Sequence, residues 1–254
     1  FYLEDSPDGY NTLAQVRMAL SRVKQEHPEY GRLLLTMENM EDADWENNWK
    51  QFYKPMEIGD RLTVIPEWES AGVPEGRVAL RLNPGLTFGT GSHATTRLCL
   101  TALEKHITGG QTVLDLGCGS GILSIAALLL GADRAVACDI DEKAADVAYE
   151  NAARNGIGTE RYTVLAGDIL TDAKLQAAIG GGYDLVMANI VADVILALAP
   201  AVKGLLAPGG VFLCSGIIDT RAKEVADKLR TAGLELLETD CEERWFAYAA
   251  RIKQ

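Results

Sequence analysis

The sequence predicts an α/β fold built on a doubly wound, mostly parallel sheet of seven strands. The first observation is a short apolar run, Thr112–Leu116, followed by a glycine-rich turn and an apolar helical segment, Ile122–Leu130. The second is that strand-like and helix-like segments alternate from Thr112 onward, which is typical of parallel sheets. The third is a pair of strand-like segments near the end, Leu234–Cys241 and Trp245–Ile252, which we expect to close the sheet as an antiparallel hairpin.

Five predicted strands precede this hairpin: Val113–Leu116, Ala135–Cys138, Thr163–Ala166, Tyr183–Met187 and Val211–Ser215. Four predicted helices lie among them: Ile122–Leu130, Glu142–Asn155, Ala192–Leu206 and Thr220–Ala232. The tripeptide Pro208-Gly209-Gly210 predicts a turn before the fifth strand. Sheets of this kind bind ligands at the carboxyl ends of their strands, so the functional residues are expected there.

The residues before this domain predict a small separate unit. Residues 1–40 contain an amphipathic helical pattern, Thr12–Gln25, and a candidate strand, Arg32–Met37. About 40 residues are too few for a comfortable independent core. Because the chain starts at Phe1 rather than Met, we expect residues 1–40 to be the remnant of a truncated N-terminal α+β domain.

A linker helix is predicted within residues 41–60. Asp44 suits its N-cap and Pro55 its end. Four aromatic residues fall on one helical stripe: Trp45, Trp49, Phe52 and Tyr53. We favour attachment of the helix to the main domain through this stripe over a substrate-binding aromatic surface. The catalytic domain is then residues 61–254, which begins with candidate strands Arg61–Ile65 and Arg77–Leu82.

Composition excludes several classes of function. The formal net charge is −12, so the chain lacks the basic footprint of a nucleic-acid-binding protein. The acidity suits a basic substrate, although it would equally keep the protein in solution. The five cysteines form no C-x-x-C pair and there are three histidines, so we predict free thiols, no metal site and a cytoplasmic location. We find no apolar run of the roughly 20 residues that a membrane span needs, and no secretory leader.

The glycine-rich turn contains the pattern D-x-G-x-G-x-G, formed by Asp115, Gly117, Gly119 and Gly121. A dinucleotide fingerprint would need its third glycine at position 122, which is Ile122. A carboxylate at Asp115 would repel a pyrophosphate but suits the ammonium group of the methionine moiety in a sulfonium cofactor. The pattern resembles the first motif of class I S-adenosylmethionine (SAM)-dependent methyltransferases, which have a Rossmann-like fold. The alternative is a glycine-rich turn in an α/β domain that binds no cofactor.

Three polar residues follow other predicted strands. Asp139 ends the second strand, where an acid can accept both hydroxyls of a ribose. Asp168 follows the third strand; an acid there in class I methyltransferases contacts the adenine amino group, and a turn or N-cap role is the alternative. Asn189 follows the fourth strand, where its amide oxygen can accept a hydrogen bond from an attacking amine. Helix capping is the alternative for Asn189.

A further candidate segment, residues 83–96, is rich in glycine and threonine. It leads into a predicted helix, Ala94–His106, whose first N–H groups, with the hydroxyls of Thr95 and Thr96, suit the cofactor's carboxylate. Phe88 is expected to pack against the methionine end of the cofactor. His93 is a candidate general base, but a lone loop histidine more often makes local hydrogen bonds.

Taken together, residues 83–96, the glycine turn, Asn189-Ile190-Val191-Ala192 and the predicted helix Trp45–Pro55 resemble the ribosomal protein L11 methyltransferase family. The resemblance covers nearly the whole chain. It implies transfer of methyl groups from SAM to the N-terminal α-amine and lysine ε-amines of L11, by a recognition domain, a linker helix and a class I catalytic domain. It also implies cofactor-binding roles for four residues: Thr96, Gly117, Asp139 and Asn189.

Three other functions stay open on the sequence alone. A nucleic-acid base methyltransferase is disfavoured, because Ile190 and Val191 replace the Pro-Pro-aromatic platform that follows Asn in such enzymes. An inactive SAM-binding module and a small-molecule N-methyltransferase are the others. We expect a monomer with L11 as partner, and no direct contact with nucleic acid or membrane.

Overall fold

The computed structural model describes residues 7–27, 53–83 and 91–253, and the chain divides into two units, Phe1–Phe52 and Tyr53–Gln254. In the first unit, helix α1 spans Pro7–Glu26, so the helical pattern predicted there is confirmed. Several predictions lie outside the described residues. They concern the strand Arg32–Met37, the linker helix up to Phe52, and Phe88.

The second unit begins with three short strands, which are β1 (Met56–Ile58), β2 (Leu62–Pro66) and β3 (Val78–Leu82). The helices that follow are α2 (Ala94–His106), α3 (Ile122–Leu130), α4 (Glu142–Arg154), α5 (Ala173–Ile179), α6 (Ala192–Leu198), α7 (Val202–Leu205) and α8 (Asp219–Thr231). The strands among and after them are β4 (Thr112–Leu116), β5 (Arg134–Asp139), β6 (Tyr162–Ala166), β7 (Tyr183–Asn189), β8 (Leu206–Ile218), β9 (Leu234–Glu242) and β10 (Trp245–Ile252).

Strands β4 to β10 form a seven-stranded sheet in the order β6-β5-β4-β7-β8-β10-β9. All neighbours from β6 to β8 are parallel, and β10 is antiparallel to both β8 and β9. The predicted doubly wound sheet with an antiparallel edge is therefore confirmed. The chain runs outward from β4 to β5 and β6, then returns to the other side of β4 at β7. Strand order reverses beside β4, and a ligand site is expected at the carboxyl end of that strand.

A separate three-stranded sheet precedes the large one. Strand β1 is antiparallel to β2, and β2 is parallel to β3. Apolar side chains of this small sheet, including Leu62 and Leu80, are buried in one core with Leu100 of α2 and Ile125 of α3. A second core on the opposite face of the large sheet lies under α6 and α8. The small sheet is thus fixed to the face of the large sheet that carries α2 and α3.

The structure differs from the sequence prediction between Ala192 and Leu206. One helix was expected there, but α6 ends at Leu198 and α7 begins at Val202. The break surrounds Pro200, which has no N–H to donate and whose ring clashes with the preceding helical turn. The single long helix was therefore a wrong prediction.

Two smaller differences concern a bulge and a missed helix. Pro208-Gly209-Gly210 does not form a turn ahead of a strand; it lies inside β8, where the register with β7 shifts between the pairs Tyr183–Leu206 and Leu185–Val211. Helix α5 was not predicted. Its signal was Asp172, whose carboxylate caps the helix by accepting from the backbone N–H groups of Lys174 and Leu175.

Within the described ranges, no helix is long and apolar enough to cross a membrane.

Candidate active site

The glycine loop, residues 117–121, connects β4 to α3 at the predicted edge of the sheet. Gly117, Gly119 and Gly121 have φ angles of +75°, +50° and +78°, a region that L side chains rarely adopt. A Cβ on Gly117 would lie 2.4 Å from Cγ2 of Ile190, and one on Gly121 would lie 2.8 Å from the Tyr162 hydroxyl. Backbone shape and close packing both require glycine at these two positions.

Asp139, at the end of β5, is hydrogen-bonded to this loop. Its Oδ2 accepts from the backbone N–H of Gly119 at 2.8 Å, and its Oδ1 accepts from the N–H of Asp141 at 3.0 Å. The side chain is half-buried. Each carboxylate oxygen has a second lone pair, so two further donors can bind. This geometry suits a diol such as the ribose of a nucleoside.

Asp115 is a buried carboxylate inside β4. It is 1% exposed, and its Oδ2 accepts from the hydroxyl of Ser124 at 2.6 Å and from the N–H of Ser124 at 3.2 Å. Among the described residues, none donates a hydrogen bond to Oδ1. Burial raises the pKa of Asp115 to about 6, against the lowering effect of the Ser124 bonds. A buried carboxylate with one open oxygen favours a cationic donor, such as an ammonium group.

Asn189 ends β7, the neighbour of β4 on its other side. Its Nδ2 donates to the Thr96 hydroxyl at 3.4 Å, while its Oδ1 is buried with no donor among the residues that the structure describes. Asp115 is paired in register with Met187, two residues before Asn189. Because side chains alternate along a strand, Asp115 and Asn189 lie on the same face of the sheet. Two open, buried acceptors are therefore placed at one edge.

The first turn of α2 joins this edge. Thr95 and Thr96 are both buried. His93 is the N-cap of the helix: its Nδ1 accepts from the N–H of Thr95 at 3.3 Å and lies 2.9 Å from the Thr95 hydroxyl. The imidazole also packs edge-on against Trp245, with ring centroids 4.9 Å apart. The structure thus shows the local hydrogen-bonding role of His93.

Asp168 follows β6 and makes a local turn. Its Oδ1 accepts from the N–H of Leu170 at 2.9 Å, and its Oδ2 accepts from the Thr171 hydroxyl at 2.8 Å. The turn role is therefore present, and contact with an adenine amino group stays a prediction. Phe88 lies outside the described residues.

Sequence reasoning missed three residues beneath this edge, which are Ser124, Tyr162 and Asn151. Ser124 binds Asp115, and the Tyr162 hydroxyl is close to the position of a Gly121 Cβ. Asn151 is fully buried on α4 and donates to the carbonyl of Ser120. Its signal was an amide at an apolar helical position, since it falls on the buried face of Ala144, Ala148 and Ala152.

The arrangement can bind a molecule that carries an ammonium group, a diol and a reactive centre near Asn189. SAM has an amino acid, a ribose and a sulfonium, so the residues present fit this cofactor. The open oxygen of Asp115 suits its ammonium group, and Asp139 suits its ribose. The open oxygen of Asn189 is then left for an N–H donor of a second substrate.

Comparison with known proteins agrees with this fit. Residues 8–253 match the family model described as "Ribosomal protein L11 methyltransferase (PrmA)". A ribosomal protein L11 methyltransferase of Pelotomaculum thermopropionicum is 49% identical over 212 residues, which cover 84% of this chain and 67% of that protein. One from Clostridium perfringens strain SM101 is 37% identical over 253 residues, covering 100% of this chain and 78% of the relative.

A solved structure gives the same relationship in three dimensions. The ribosomal protein L11 methylase of Lactobacillus delbrueckii subsp. bulgaricus superposes with a TM-score of 0.72 at 32% sequence identity. The match covers 80% of this chain and 100% of that one. The range matched by the family model, residues 8–253, includes the sheet, the glycine loop and the strand ends described above.

Proposed function

Because the chain belongs to the ribosomal protein L11 methyltransferase family, we propose that it transfers methyl groups from SAM to amino groups of ribosomal protein L11. It is a SAM-dependent methyltransferase with the class I fold. The observation that carries the assignment to an amine is the open Oδ1 of Asn189, held in place by the bond from its Nδ2 to Thr96. A buried acceptor at the end of β7 suits an N–H donor.

The cofactor-binding residues follow from the same edge. Asp139 would accept the ribose hydroxyls, Asp115 the ammonium group, and the first turn of α2 the carboxylate. The full proposed set is Phe88, Thr95, Thr96, Asp115, Gly117, Gly119, Gly121, Asp139, Asp168 and Asn189. Support comes from the two buried acceptors to which no described residue donates and from the hydrogen bond between Asp139 and Gly119.

The proposed chemistry is an in-line displacement in which the chain supplies mainly alignment. SAM, when bound, provides an activated methyl group on a sulfonium. Asn189 accepts a hydrogen bond from the acceptor amine and so directs its lone pair toward the methyl carbon. The N–C bond forms as the S–C bond breaks, and the product amine then loses its proton to solvent.

The attacking amine must be neutral, whereas a free lysine has a pKa of about 10.4. We assign no general base. His93 is committed to the N-terminus of α2, and Asp115 is buried against Ser124. Desolvation lowers the pKa of an amine, and a nearby sulfonium acts in the same direction. Transfer of the amine from water to this edge therefore favours the reactive neutral form.

The finer features of the substrate are also part of the proposal. The acceptors are the N-terminal α-amine and lysine ε-amines of L11. The net charge of −12 supports a basic protein partner and disfavours nucleic acid. We propose a cytoplasmic monomer in which residues 1–40 recognise L11, residues 41–52 link, and residues 53–254, which include β1, catalyse. The division of the chain after Phe52 supports separate recognition and catalytic parts.

A transfer assay with methyl-labelled SAM tests this function. Purified L11, total RNA and a panel of small amines are offered in parallel. We expect label in L11 alone, at its N-terminus and lysines by peptide mass mapping. Label only in RNA would support a base methyltransferase instead, and label only in small amines would support a small-molecule enzyme. SAM binding without transfer to any of them would indicate an inactive module.

A further inference from the structure

The buried side chain of Asn151, on α4, joins two segments of the proposed cofactor site. Its Nδ2 donates to the backbone carbonyl of Ser120 at 2.9 Å, within the glycine loop. Its Oδ1 accepts from the backbone N–H of Asn83 at 2.9 Å, one residue after β3. Asn151 and Ser120 are both 1% exposed or less. One amide thus bonds two backbone segments that the sequence separates by 37 residues, from 83 to 120.

Two residues at the C-terminal end of α4, Arg154 and the C-cap Asn155, hold the other side of this junction. Asn155 accepts from the N–H of Arg81 at 2.8 Å and donates to its carbonyl at 2.7 Å, as a neighbouring strand would. Glu67 accepts from the side-chain amide of Asn83 at 2.7 Å and from Arg154 at 2.6 Å. The end of β3 is therefore tied to α4 at several points, but among these bonds only that of Asn151 reaches the glycine loop.

The position of this bond matters because of what lies on either side of it. The glycine loop owes its shape to three residues with positive φ, and such residues restrict the backbone least. Asn83 begins the segment that continues to Thr95 and Thr96 at the start of α2. Loss of the amide would take this donor from the Ser120 carbonyl and this acceptor from the Asn83 N–H, and loss of a hydrogen bond away from water costs more than the bond itself contributes.

We propose that Asn151 is a positioning residue for SAM binding, acting through Ser120 and Asn83 rather than by touching the cofactor. This inference rests on the SAM site proposed above. The loop conformation that presents Gly119 to Asp139 is held by Asn151, so SAM meets a preformed site and loses less free energy in ordering it. Loss of Asn151 should therefore lower the affinity for SAM and leave the alignment of the acceptor amine by Asn189 unchanged.

Variants of Asn151 and Asn155 separate this role from general stability. Asn151→Leu removes both bonds with the same branching at Cγ. Asn151→Asp keeps the acceptor for the Asn83 N–H but places a carboxyl oxygen, which repels when ionised, against the carbonyl of Ser120. Asn155→Leu is the matched control, since it breaks bonds from the C-cap of the same helix to β3 without reaching the glycine loop. Calorimetry should show SAM binding weakened about tenfold in both Asn151 variants and less than about threefold in the control. With saturating SAM, kcat should stay within about twofold of the parent while the KM for SAM rises.

Three results would overturn the inference. One is unchanged SAM affinity in a folded Asn151 variant, and another is an equal loss of affinity in the Asn155 control. The third comes from hydrogen exchange on the unmodified protein, which does not depend on variant folding. Saturating SAM should protect the peptide that contains the Asn83 amide, and no added protection there would contradict coupling through Asn151. A parent protein that fails to bind SAM would instead overturn the proposed function, and this inference with it.

Discussion

The carboxylate of Asp139 accepts a hydrogen bond from the backbone N–H of Gly119 at 2.8 Å. The bond joins the end of β5 to the centre of the glycine loop after β4, two adjacent strands of the sheet. Asp139 therefore has a part in shaping the loop as well as its proposed part in binding ribose. Variants at this position report on both.

Replacement of Asp139 should weaken cofactor binding without unfolding the protein. Loss of a charged acceptor costs on the order of 1.5–3 kcal/mol, so Asp139→Ala should raise the Kd for SAM about tenfold or more by calorimetry. Asp141→Ala is the control, because Asp141 caps α4 two residues later and has no proposed contact with SAM. Unchanged SAM affinity in a folded Asp139 variant, or tight binding of NAD by the parent, would contradict the assignment of Asp139 to the ribose of SAM.

Asn189→Ala should lower turnover more than SAM affinity. The open Oδ1 of Asn189 is proposed to orient the attacking amine, and such alignment acts mainly in the transition state. We expect kcat on L11 to fall at least about tenfold while the Kd for SAM rises less, because only the bond to Thr96 is lost on the cofactor side. If kcat is unchanged while stability to urea falls, Asn189 has only a structural role.

Asp115 should make stability depend on pH. Its pKa rises on folding from its ordinary value of 3.8 to about 6, because burial penalises the charged form. The contribution of Asp115 to the free energy of unfolding is therefore greatest below pH 3.8. It falls by about 3 kcal/mol in total as the pH rises through about 6, because the folded protein must then hold a buried charge. Asp115→Asn removes this loss, so in urea titrations without SAM the variant should gain stability relative to the parent between pH 4 and 7.

The same Asp115→Asn variant should bind SAM more weakly at pH 7, because a neutral amide no longer pairs with the ammonium group. Stability and affinity are thus expected to move in opposite directions. A stability difference that is constant with pH would contradict the buried-carboxylate account. Unchanged SAM affinity would remove Asp115 from the cofactor site while leaving the pH effect intact.

His93→Ala should retain most of the activity. The imidazole caps α2 and packs on Trp245, so the variant should lose about 1 kcal/mol of unfolding free energy and little kcat. Steady-state rates and urea denaturation measure the two effects. A loss of more than about a hundredfold in kcat, with the fold retained, would show that His93 acts as a general base.

Deletion of residues 1–40 should separate recognition from catalysis. The shortened protein is expected to bind SAM with nearly the parent's affinity, because all proposed cofactor-binding residues lie from Phe88 onward. It should no longer methylate L11, because the proposed recognition part is missing. Calorimetry with SAM and the labelled-methyl assay with L11 give the two readouts. If the shortened protein methylates L11 at the parent's rate, residues 1–40 are not a recognition domain.

The sequence alone determined the architecture of the large sheet and the class of cofactor. Apolar runs of strand length alternating with amphipathic helices leave a parallel, doubly wound sheet as the way to bury both faces. The spacing of Gly117, Gly119 and Gly121 after Asp115 was informative because positive φ angles and close packing admit no other residue at Gly117 or Gly121. Local rules failed at Pro200, which separates α6 from α7, at Pro208-Gly209-Gly210, which lies inside β8, and at α5, whose N-cap Asp172 was overlooked.

Only the tertiary structure decided which polar groups face one another and which are left open. Asp115 and Asn189 are 74 positions apart, from 115 to 189, yet register between β4 and β7 puts both on one face with a buried, open oxygen each. The bridge from Asn151 to Ser120 and Asn83 was equally invisible, because a lone amide in a helix says nothing of its partners. Periodicity reports which face of an element is buried. Hydrogen-bond partners distant in sequence depend on the packing of whole elements, which periodicity does not encode.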